Sequence, residues 1–243
     1  MRISRVILIV SIGCILSHNA TDLGKAQDYR SQIDRLLSKL KHSLHPSLKT
    51  QEEVRAGIMN IAGESEFSRS EVIGSLISIV EDPAELEPDF RFLTALRWTF
   101  AVRLLGDLRA REAVDALVTR LHLTGDCGVV FSISYRPVAR AVQKIGEPAI
   151  PRLIEALSER RSTNFVLAAS TLAEIGQPAV ARLRETLRGG GADSRGGAAL
   201  ALGWIGGSEV RDDIELAIKS ETDTKALEDM KYGLQASRRE SRK

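Results

Sequence analysis

Glycine recurs at regular intervals in the second half of the chain, and this spacing constrains the fold more than any other feature. Gly106, Gly146, Gly176 and Gly206 are separated by 40, 30 and 30 residues. A period of about 20 to 50 residues is typical of solenoid proteins, in which each repeat is one supersecondary unit. The spacing therefore predicts a structural repeat that turns at each glycine.

The residues before each glycine predict an amphipathic helix. Apolar or small residues recur one, four, five and eight positions before all four glycines, as Ile145, Val142, Ala141 and Val138 do before Gly146. Steps of three and four residues place such side chains on one buried helical face.

A residue suited to capping a helix lies twelve positions before each glycine. These residues are Thr94, Ser134, Asn164 and Ser194. Their side-chain oxygens accept hydrogen bonds from free backbone N–H groups, whereas glycine ends a helix in a left-handed conformation. The last three repeats are thus predicted to contain a helix of roughly eleven residues. The first helix is predicted to start earlier, near Asp89.

A second helix is predicted after each glycine. Residues 146–157 align with residues 176–187, and Pro148 and Pro178 fall where the first turn of a helix tolerates proline. An apolar stripe with helical spacing follows in several copies, although Asp213 replaces the expected leucine in the copy after Gly206. Farther upstream, Thr50 and Ser68 are predicted to open the two helices of another pair.

The patterns together predict an all-α protein, an α-α superhelix of about five helix pairs with a further helix at either end. No stretch has the alternation of apolar and polar residues that is typical of strands. Because each pair buries its stripe only against its neighbours, residues 21–243 are predicted to form one solenoid domain.

One motif resembles a known family. The run I-G-x-P-A-[VI]-x-x-L, preceded by small and aliphatic residues, occurs in 138–153 and 168–183. It resembles the HEAT-like repeat of the phycobilisome-lyase type over roughly residues 95–220, and more faintly from residue 50. The resemblance implies a HEAT/armadillo-like solenoid. It leaves the function open, because the family includes scaffolds, adaptors and some chromophore lyases.

The N-terminus is typical of an export signal. Arg2 and Arg5 precede an apolar run of eleven residues, 6–16, which suits a signal sequence and is too short to span a bilayer. Residues 1–20 are therefore predicted to be a signal peptide cleaved after Ala20, which places the protein in the periplasm or outside the cell. Two alternatives are a lipoprotein anchored to the membrane through Cys14 and a cytosolic protein whose first residues form a buried helix.

Charge and cysteine content exclude several classes of site. Residues 1–20 contain two arginines and no acidic residue, so their removal lowers the formal net charge from +2 to 0. A neutral chain lacks the positive charge that nucleic-acid binding requires. Cys127 is then the only cysteine, which excludes an internal disulfide and a cysteine-based zinc site.

Three groups of residues are candidates for binding another protein. Trp204 occupies a repeat position where Leu104, Lys144 and Glu174 stand in sibling repeats. A position that accepts lysine and glutamate is expected to face solvent, so Trp204 is a candidate exposed aromatic residue. The segment 124–134 is too apolar for a simple solvated loop. Two ion pairs recur at the same repeat positions and could line a polar groove. The candidate residues are Trp204, Val130, Phe131, Arg152, Glu155, Arg182 and Glu185.

Each group also has a purely structural explanation. Trp204 could pack under the C-terminal helix, and the segment 124–134 could cover the junction between two irregular repeats. The charged pairs could be solvated surface ion pairs, which contribute little to stability.

The chain contains no recognisable catalytic or metal-binding motif. Its four histidines show no ligand spacing, and there is no nucleophile elbow. We therefore predict no catalytic residue, no metal and no cofactor. The predicted function is a non-enzymatic scaffold or adaptor that binds another protein, without nucleic acid, and with membrane contact only if Cys14 is lipidated. The alternatives are a chromophore-lyase-like enzyme and a lipid-anchored structural protein of the envelope.

Overall fold

The chain is α-helical in a computed structural model that describes residues 20–41, 47–83, 91–123 and 136–240. Within these ranges there are twelve α-helices and no β-strand. The helices are α1 (Ala20–Lys41), α2 (Leu48–Glu64), α3 (Glu66–Glu81), α4 (Arg91–Asp107), α5 (Val114–Val118), α6 (Pro137–Ile145), α7 (Ile150–Ala156), α8 (Asn164–Ile175), α9 (Gln177–Gly189), α10 (Ala192–Ile205), α11 (Ser208–Ser220) and α12 (Thr224–Glu240). The all-α prediction is confirmed.

The number of helix pairs differs from the prediction. Taken two by two along the described residues, the twelve helices make six pairs, one more than the predicted five. The difference arises because the prediction sets the first and last helices, α1 and α12, apart and counts pairs from α2. Counted in that way, α4, α6, α8 and α10 are first helices of a pair, and α5, α7, α9 and α11 are second helices. Two predicted features lie outside the described residues: residues 1–19 of the signal segment, with Cys14, and the segment 124–134, with Val130, Phe131 and the predicted cap Ser134.

Contacts along the chain separate two compact units, Met1–Ser75 and Leu76–Lys243. In the first unit α1 packs against α2. The side chains of Ile33, Leu37 and Leu40 on α1 are fully buried. The single domain predicted over residues 21–243 stays a prediction.

In the second unit the helices pack in two rows. The first helices of successive pairs pack on one another, α4 on α6, α6 on α8 and α8 on α10. The second helices do the same, α5 on α7, α7 on α9 and α9 on α11. The last helix, α12, packs on both α10 and α11. Within the pairs α8 packs on α9 and α10 on α11, and between pairs α5 also packs on α6 and α7 on α8.

The predicted buried face of the first helices is confirmed. Of the sixteen residues one, four, five and eight positions before the four glycines, all are buried except Ile175 and Ile205, which are half-buried. Trp98 occupies one of these positions on α4, and its indole N–H donates to the carbonyl oxygen of Val80 at 3.2 Å. Burial of this stripe stabilises the fold of this unit.

Three of the four repeat glycines end their helices with a positive φ. The φ angles of Gly146, Gly176 and Gly206 are 76°, 76° and 79°, a conformation that strains other residues. For Gly106 the prediction is wrong, because α4 continues to Asp107 and Gly106 is helical and buried. A Cβ atom there would lie 2.7 Å from Cα of Ala141 on α6, so this glycine permits close helix packing.

The predicted caps of α2 and α3 are wrong by three residues. Thr50 lies inside α2, and its N–H donates to Oγ of Ser47 at 3.0 Å. Likewise Ser68 lies inside α3, and its N–H donates to Oγ of Ser65 at 3.0 Å. Serine or threonine occupies both the predicted and the observed cap position of each helix. The sequence pattern therefore does not decide which of the two residues opens the helix.

Two other predicted caps also lie inside helices. α10 begins at Ala192, with Gly191 as its N-cap, so Ser194 falls in the first turn. Thr94 lies within α4, which starts at Arg91. The helix α10 therefore starts a turn before its predicted cap, whereas the start of α4 at Arg91 is close to the start predicted near Asp89.

Candidate functional site

The predicted pair Arg152 and Glu155 borders a small recess. Arg152 on α7 pairs with Asp115 on α5 at 3.1 Å and more loosely with Glu155 at 3.6 Å. Both residues line a recess of about 180 Å³ between the C-terminal ends of α5 and α7 and the start of α8, which we call the central recess. The structure therefore brings these two predicted residues together, although Arg152 reaches Asp115 of the preceding pair and not the following repeat.

Asn164 closes one side of the central recess. Its side-chain amide donates to the carbonyl oxygens of Val118 and Thr119 at 3.3 and 3.2 Å, and its Oδ1 accepts the backbone N–H of His122 at 3.1 Å. The sequence predicts that Asn164 is the N-cap of its helix, but Thr163 is the N-cap and makes no side-chain capping bond. The side chain of Asn164 instead satisfies carbonyl groups at the end of α5.

The second predicted pair does not line the central recess. Arg182 and Glu185 on α9 form an ion pair of 2.9 Å, and their side chains are 64% and 63% exposed. A solvated pair of this kind contributes little to stability. These two residues are therefore accessible at the surface.

Trp204 is half-buried near the end of α10. Its counterparts differ widely in exposure, since Leu104 is buried and Lys144 and Glu174 are exposed. The equivalence of repeat positions therefore does not determine how far Trp204 is exposed. Val130 and Phe131 lie in the part of the chain that the structure does not describe.

The larger recess lies at the C-terminal end of the second unit and was not predicted. It has a volume of about 430 Å³ and is lined by α9, α10, α11, the turn after α11 and Met230 of α12. We call it the C-terminal recess. Three arginines and two carboxylates line it, namely Arg184, Arg188, Arg195, Asp213 and Glu221.

Arg195 and Glu221 form the most buried ion pair of the C-terminal recess. Nε and one terminal nitrogen of Arg195 donate to the two carboxylate oxygens of Glu221 at 2.7 and 2.8 Å. The Glu221 side chain is 2% exposed and also accepts the backbone N–H groups of Thr222 and Asp223, each at 2.9 Å. The hydrogen bonds from Arg195, and then those from the backbone, hold the pKa of Glu221 at about 2.

Arg184 and Asp213 form a second ion pair, between α9 and α11. Nε of Arg184 lies 2.5 Å from Oδ2 of Asp213, and a terminal nitrogen lies 3.2 Å from Glu209. The hydrogen bonds to Glu209 and Asp213 raise the pKa of Arg184 further above its ordinary value. Arg188 contacts the same Asp213 only at 3.9 Å, and its side chain is 71% exposed.

An apolar surface accompanies these charges. The side chains of Leu187 on α9 and Met230 on α12 are buried and form part of the lining. Leu216 on α11 also lines the recess but is 67% exposed, which is unusual for a large apolar side chain in this structure. The C-terminal recess thus combines cationic and apolar groups.

At two positions of this site the aligned repeats differ in charge. Arg184 occupies the position of Ile154 in the preceding repeat, and Asp213 occupies that of Leu153 and Leu183. Opposite charges therefore replace apolar residues on two helices that pack together. The sequence pattern indicates Asp213 only as a weakening of the repeat, because the two charged residues fall at different positions of their repeats.

The described residues contain no cluster of three or more histidine, cysteine or acidic side chains arranged to hold a metal ion. Among the helices in the described ranges, none has the length and hydropathy needed to cross a membrane. Comparison of the chain with protein-family models finds no match, and comparison with curated protein sequences finds no significant relative.

Proposed function

We propose that this chain is a non-enzymatic scaffold or adaptor, an exported α-solenoid of the HEAT-like type that binds another protein. The packing of its second unit supports this architecture. First helices pack on first helices and second helices on second helices, which is the arrangement expected when repeated helix pairs stack along one direction.

The observation that carries the binding proposal is the pair of recesses along the second helices. The central recess involves α5 and α7, and the C-terminal recess involves α9 and α11. Both have charged side chains at their borders. Recesses with polar borders on a rigid helical array are suited to anchoring side chains of a partner protein.

Site-specific photo-cross-linking tests the proposal in the native host. A photoreactive phenylalanine analogue replaces Glu155, at the central recess, or Trp204, on α10. Val166 of α8 is the matched control, because it is 52% exposed and lies outside the lining of both recesses. We expect one partner protein to be cross-linked from Glu155 or Trp204 and not from Val166.

Two results would contradict the binding proposal. If no protein is cross-linked from either position while the full-length chain is present at its natural level, the scaffold function is wrong. Equal cross-linking from Val166 would indicate nonspecific contact.

Export is a separate part of the proposal and has its own test. The mass of the mature N-terminus distinguishes a chain cleaved after Ala20 from one that carries a diacylglyceryl group on Cys14. An intact N-terminus that begins at Met1 in protein isolated from the native host would contradict both forms of export.

A further inference from the structure

The arginines of the C-terminal recess differ in how many hydrogen bonds they donate to other groups of the protein. Arg195 uses Nε and both terminal nitrogens, two of them on Glu221 and the third on the carbonyl oxygen of Gly190 at 2.8 Å. Arg184 is likewise held by Asp213 and Glu209. These two arginines therefore have little capacity left for a ligand.

Arg188 differs from the other two arginines. Its nearest carboxylate, that of Asp213, is 3.9 Å away, beyond hydrogen-bonding distance, and already accepts a hydrogen bond from Arg184. Its side chain is 71% exposed. Because a guanidinium group carries five N–H donors in a planar fork, Arg188 can accommodate a carboxylate in a bidentate geometry.

The charge balance of the lining also favours an acidic ligand. Arg184, Arg188 and Arg195 outnumber Asp213 and Glu221 by one positive charge. Arg195 and Glu221 neutralise each other through two hydrogen bonds, and Arg184 pairs with Asp213 and with Glu209, which lies outside the lining. Among the described residues, Arg188 is therefore the cation of the lining without a carboxylate at hydrogen-bonding distance, and a partner's carboxylate would supply one.

The apolar surface next to Arg188 indicates the rest of the ligand. Leu216 is 67% exposed, and the buried Leu187 and Met230 continue the apolar lining inward. A volume of about 430 Å³ holds one or two large side chains with room for part of a backbone. A small carboxylate would use Arg188 and leave Leu216 uncovered, whereas a peptide segment uses both.

We propose that the C-terminal recess binds an acidic peptide segment of the partner protein, with one carboxylate on Arg188 and one large apolar side chain against Leu216. This inference rests on the proposed binding function and names the chemistry of the partner. It predicts that affinity depends on charge and on salt, because the Arg188 contact is exposed to solvent.

Selection from a phage-displayed library of random dodecapeptides tests the inference on the immobilised full-length protein. The test variant is Arg188→Glu, and the matched control is Arg182→Glu, since Arg182 lies on the same helix, is 64% exposed and lies outside the recess. We expect peptides selected on the wild type and on the control to combine Asp or Glu with Leu, Ile, Met or Phe. The Arg188→Glu protein should lose the acidic preference.

A selected peptide then gives quantitative measurements. We expect Arg188→Glu and Leu216→Ser each to weaken its binding at least about tenfold by fluorescence anisotropy, with less than about twofold change for Arg182→Glu. Circular dichroism of all four proteins establishes that they are folded. Raising the salt concentration should weaken binding to the wild type.

Three results would overturn the inference. They are the absence of any enriched peptide, an acidic preference that persists with Arg188→Glu, and displacement of the peptide by N-acetylaspartate as effectively as by the unlabelled peptide, which would indicate a small-anion site. Cross-linking from Glu155 or Trp204 does not depend on this recess. A partner captured there while the peptide selection fails would therefore retain the binding function and reject only this inference.

Discussion

Gly203 of α10 and Gly233 of α12 lie against each other with almost no space between their backbones. A Cβ atom on Gly203 would overlap the carbonyl group of Gly233 and lie 2.6 Å from its Cα, and one on Gly233 would overlap the carbonyl group of Ala199. The two glycines allow α12 to pack directly on the backbone of α10. Since Met230 of α12 lines the C-terminal recess, this crossing also positions one wall of that recess.

Replacing Gly203 by alanine should destabilise the protein, because the added methyl group meets backbone atoms that cannot rotate away. We expect a loss of about 1 to 3 kcal/mol in the free energy of unfolding, measured by urea denaturation. Gly189→Ala is the control, since a Cβ atom there has no neighbour within 4 Å. Equal stability of the two variants would show that the helices can separate at little cost.

Replacing Gly176 by alanine should also be destabilising, but for a conformational reason. The φ and ψ angles of Gly176 are 76° and −135°, which a residue with a Cβ atom rarely adopts, although the nearest atom to a Cβ there is 3.9 Å away. The expected cost is about 1 to 3 kcal/mol. The same urea measurement and the same Gly189→Ala control apply, and an unchanged unfolding midpoint for Gly176→Ala would contradict the prediction.

Replacing Arg184 and Asp213 together should be tolerated better than replacing either one. Their side chains are 27% and 23% exposed, and each single change to the residue of the sibling repeats, Arg184→Ile or Asp213→Leu, leaves a partly buried charge with a weaker partner. We expect each single variant to lose about 1 to 3 kcal/mol of stability. The double variant should recover at least about 0.5 kcal/mol of the summed loss.

If the loss of stability in the double variant equals the sum of the two single losses, the interpretation that the two charges replace a pair of apolar contacts is wrong.

The double variant has a second use. Because it retains Arg188 but loses the carboxylate that Arg188 faces, selected acidic peptides should still bind to it. Urea denaturation measures the stabilities, and anisotropy measures the peptide affinity.

Glu221 should make the stability of the protein depend on pH in acid. The pKa of Glu221 is about 2 in the folded chain, compared with an ordinary value of 4.5. As the pH falls, the unfolded chain therefore binds a proton at this residue before the folded chain does. The stabilisation from this group is therefore fully present above about pH 4.5 and is lost as the pH falls towards 2. Glu221→Gln should lower stability at pH 7 and have a smaller effect near pH 2.5, as measured by urea denaturation at both values.

Glu185→Gln provides the comparison for that experiment. Glu185 is 63% exposed and pairs only on the surface with Arg182, so its replacement should change stability by less than about 0.5 kcal/mol at either pH. An effect of Glu221→Gln that is the same at pH 7 and near pH 2.5 would show that the carboxylate gains no special stabilisation from Arg195.

The buried face of the repeats could be predicted from local spacing alone. A helix turns through a fixed angle per residue, so apolar residues at steps of three and four must share a face, as Val142, Ala141 and Val138 do. The starts of the helices were harder to predict. Ser47 and Thr50 are both good caps three residues apart, and the sequence pattern does not select between them.

The candidate site was predictable only in part. Arg152 and Glu155 were found because their spacing repeats, and they do border a recess. The C-terminal recess escaped prediction because its residues come from four helices and lie up to 46 positions apart, from Arg184 to Met230. The sequence around Arg188 does not indicate that this residue lacks a carboxylate at hydrogen-bonding distance in the described part of the chain. That property depends on the hydrogen bond between Arg184 and Asp213 in the folded chain.

The sequence by itself determined the helical class, the repeat, and which face of each helix is buried, because these depend on periodicity within about a dozen residues. The tertiary structure alone decided which glycines turn the chain and which permit close packing, as Gly176 and Gly106 do respectively. It also decided which charges are paired and which are left for a partner. These properties depend on distances between helices, and such distances result from the packing of side chains that are remote in sequence.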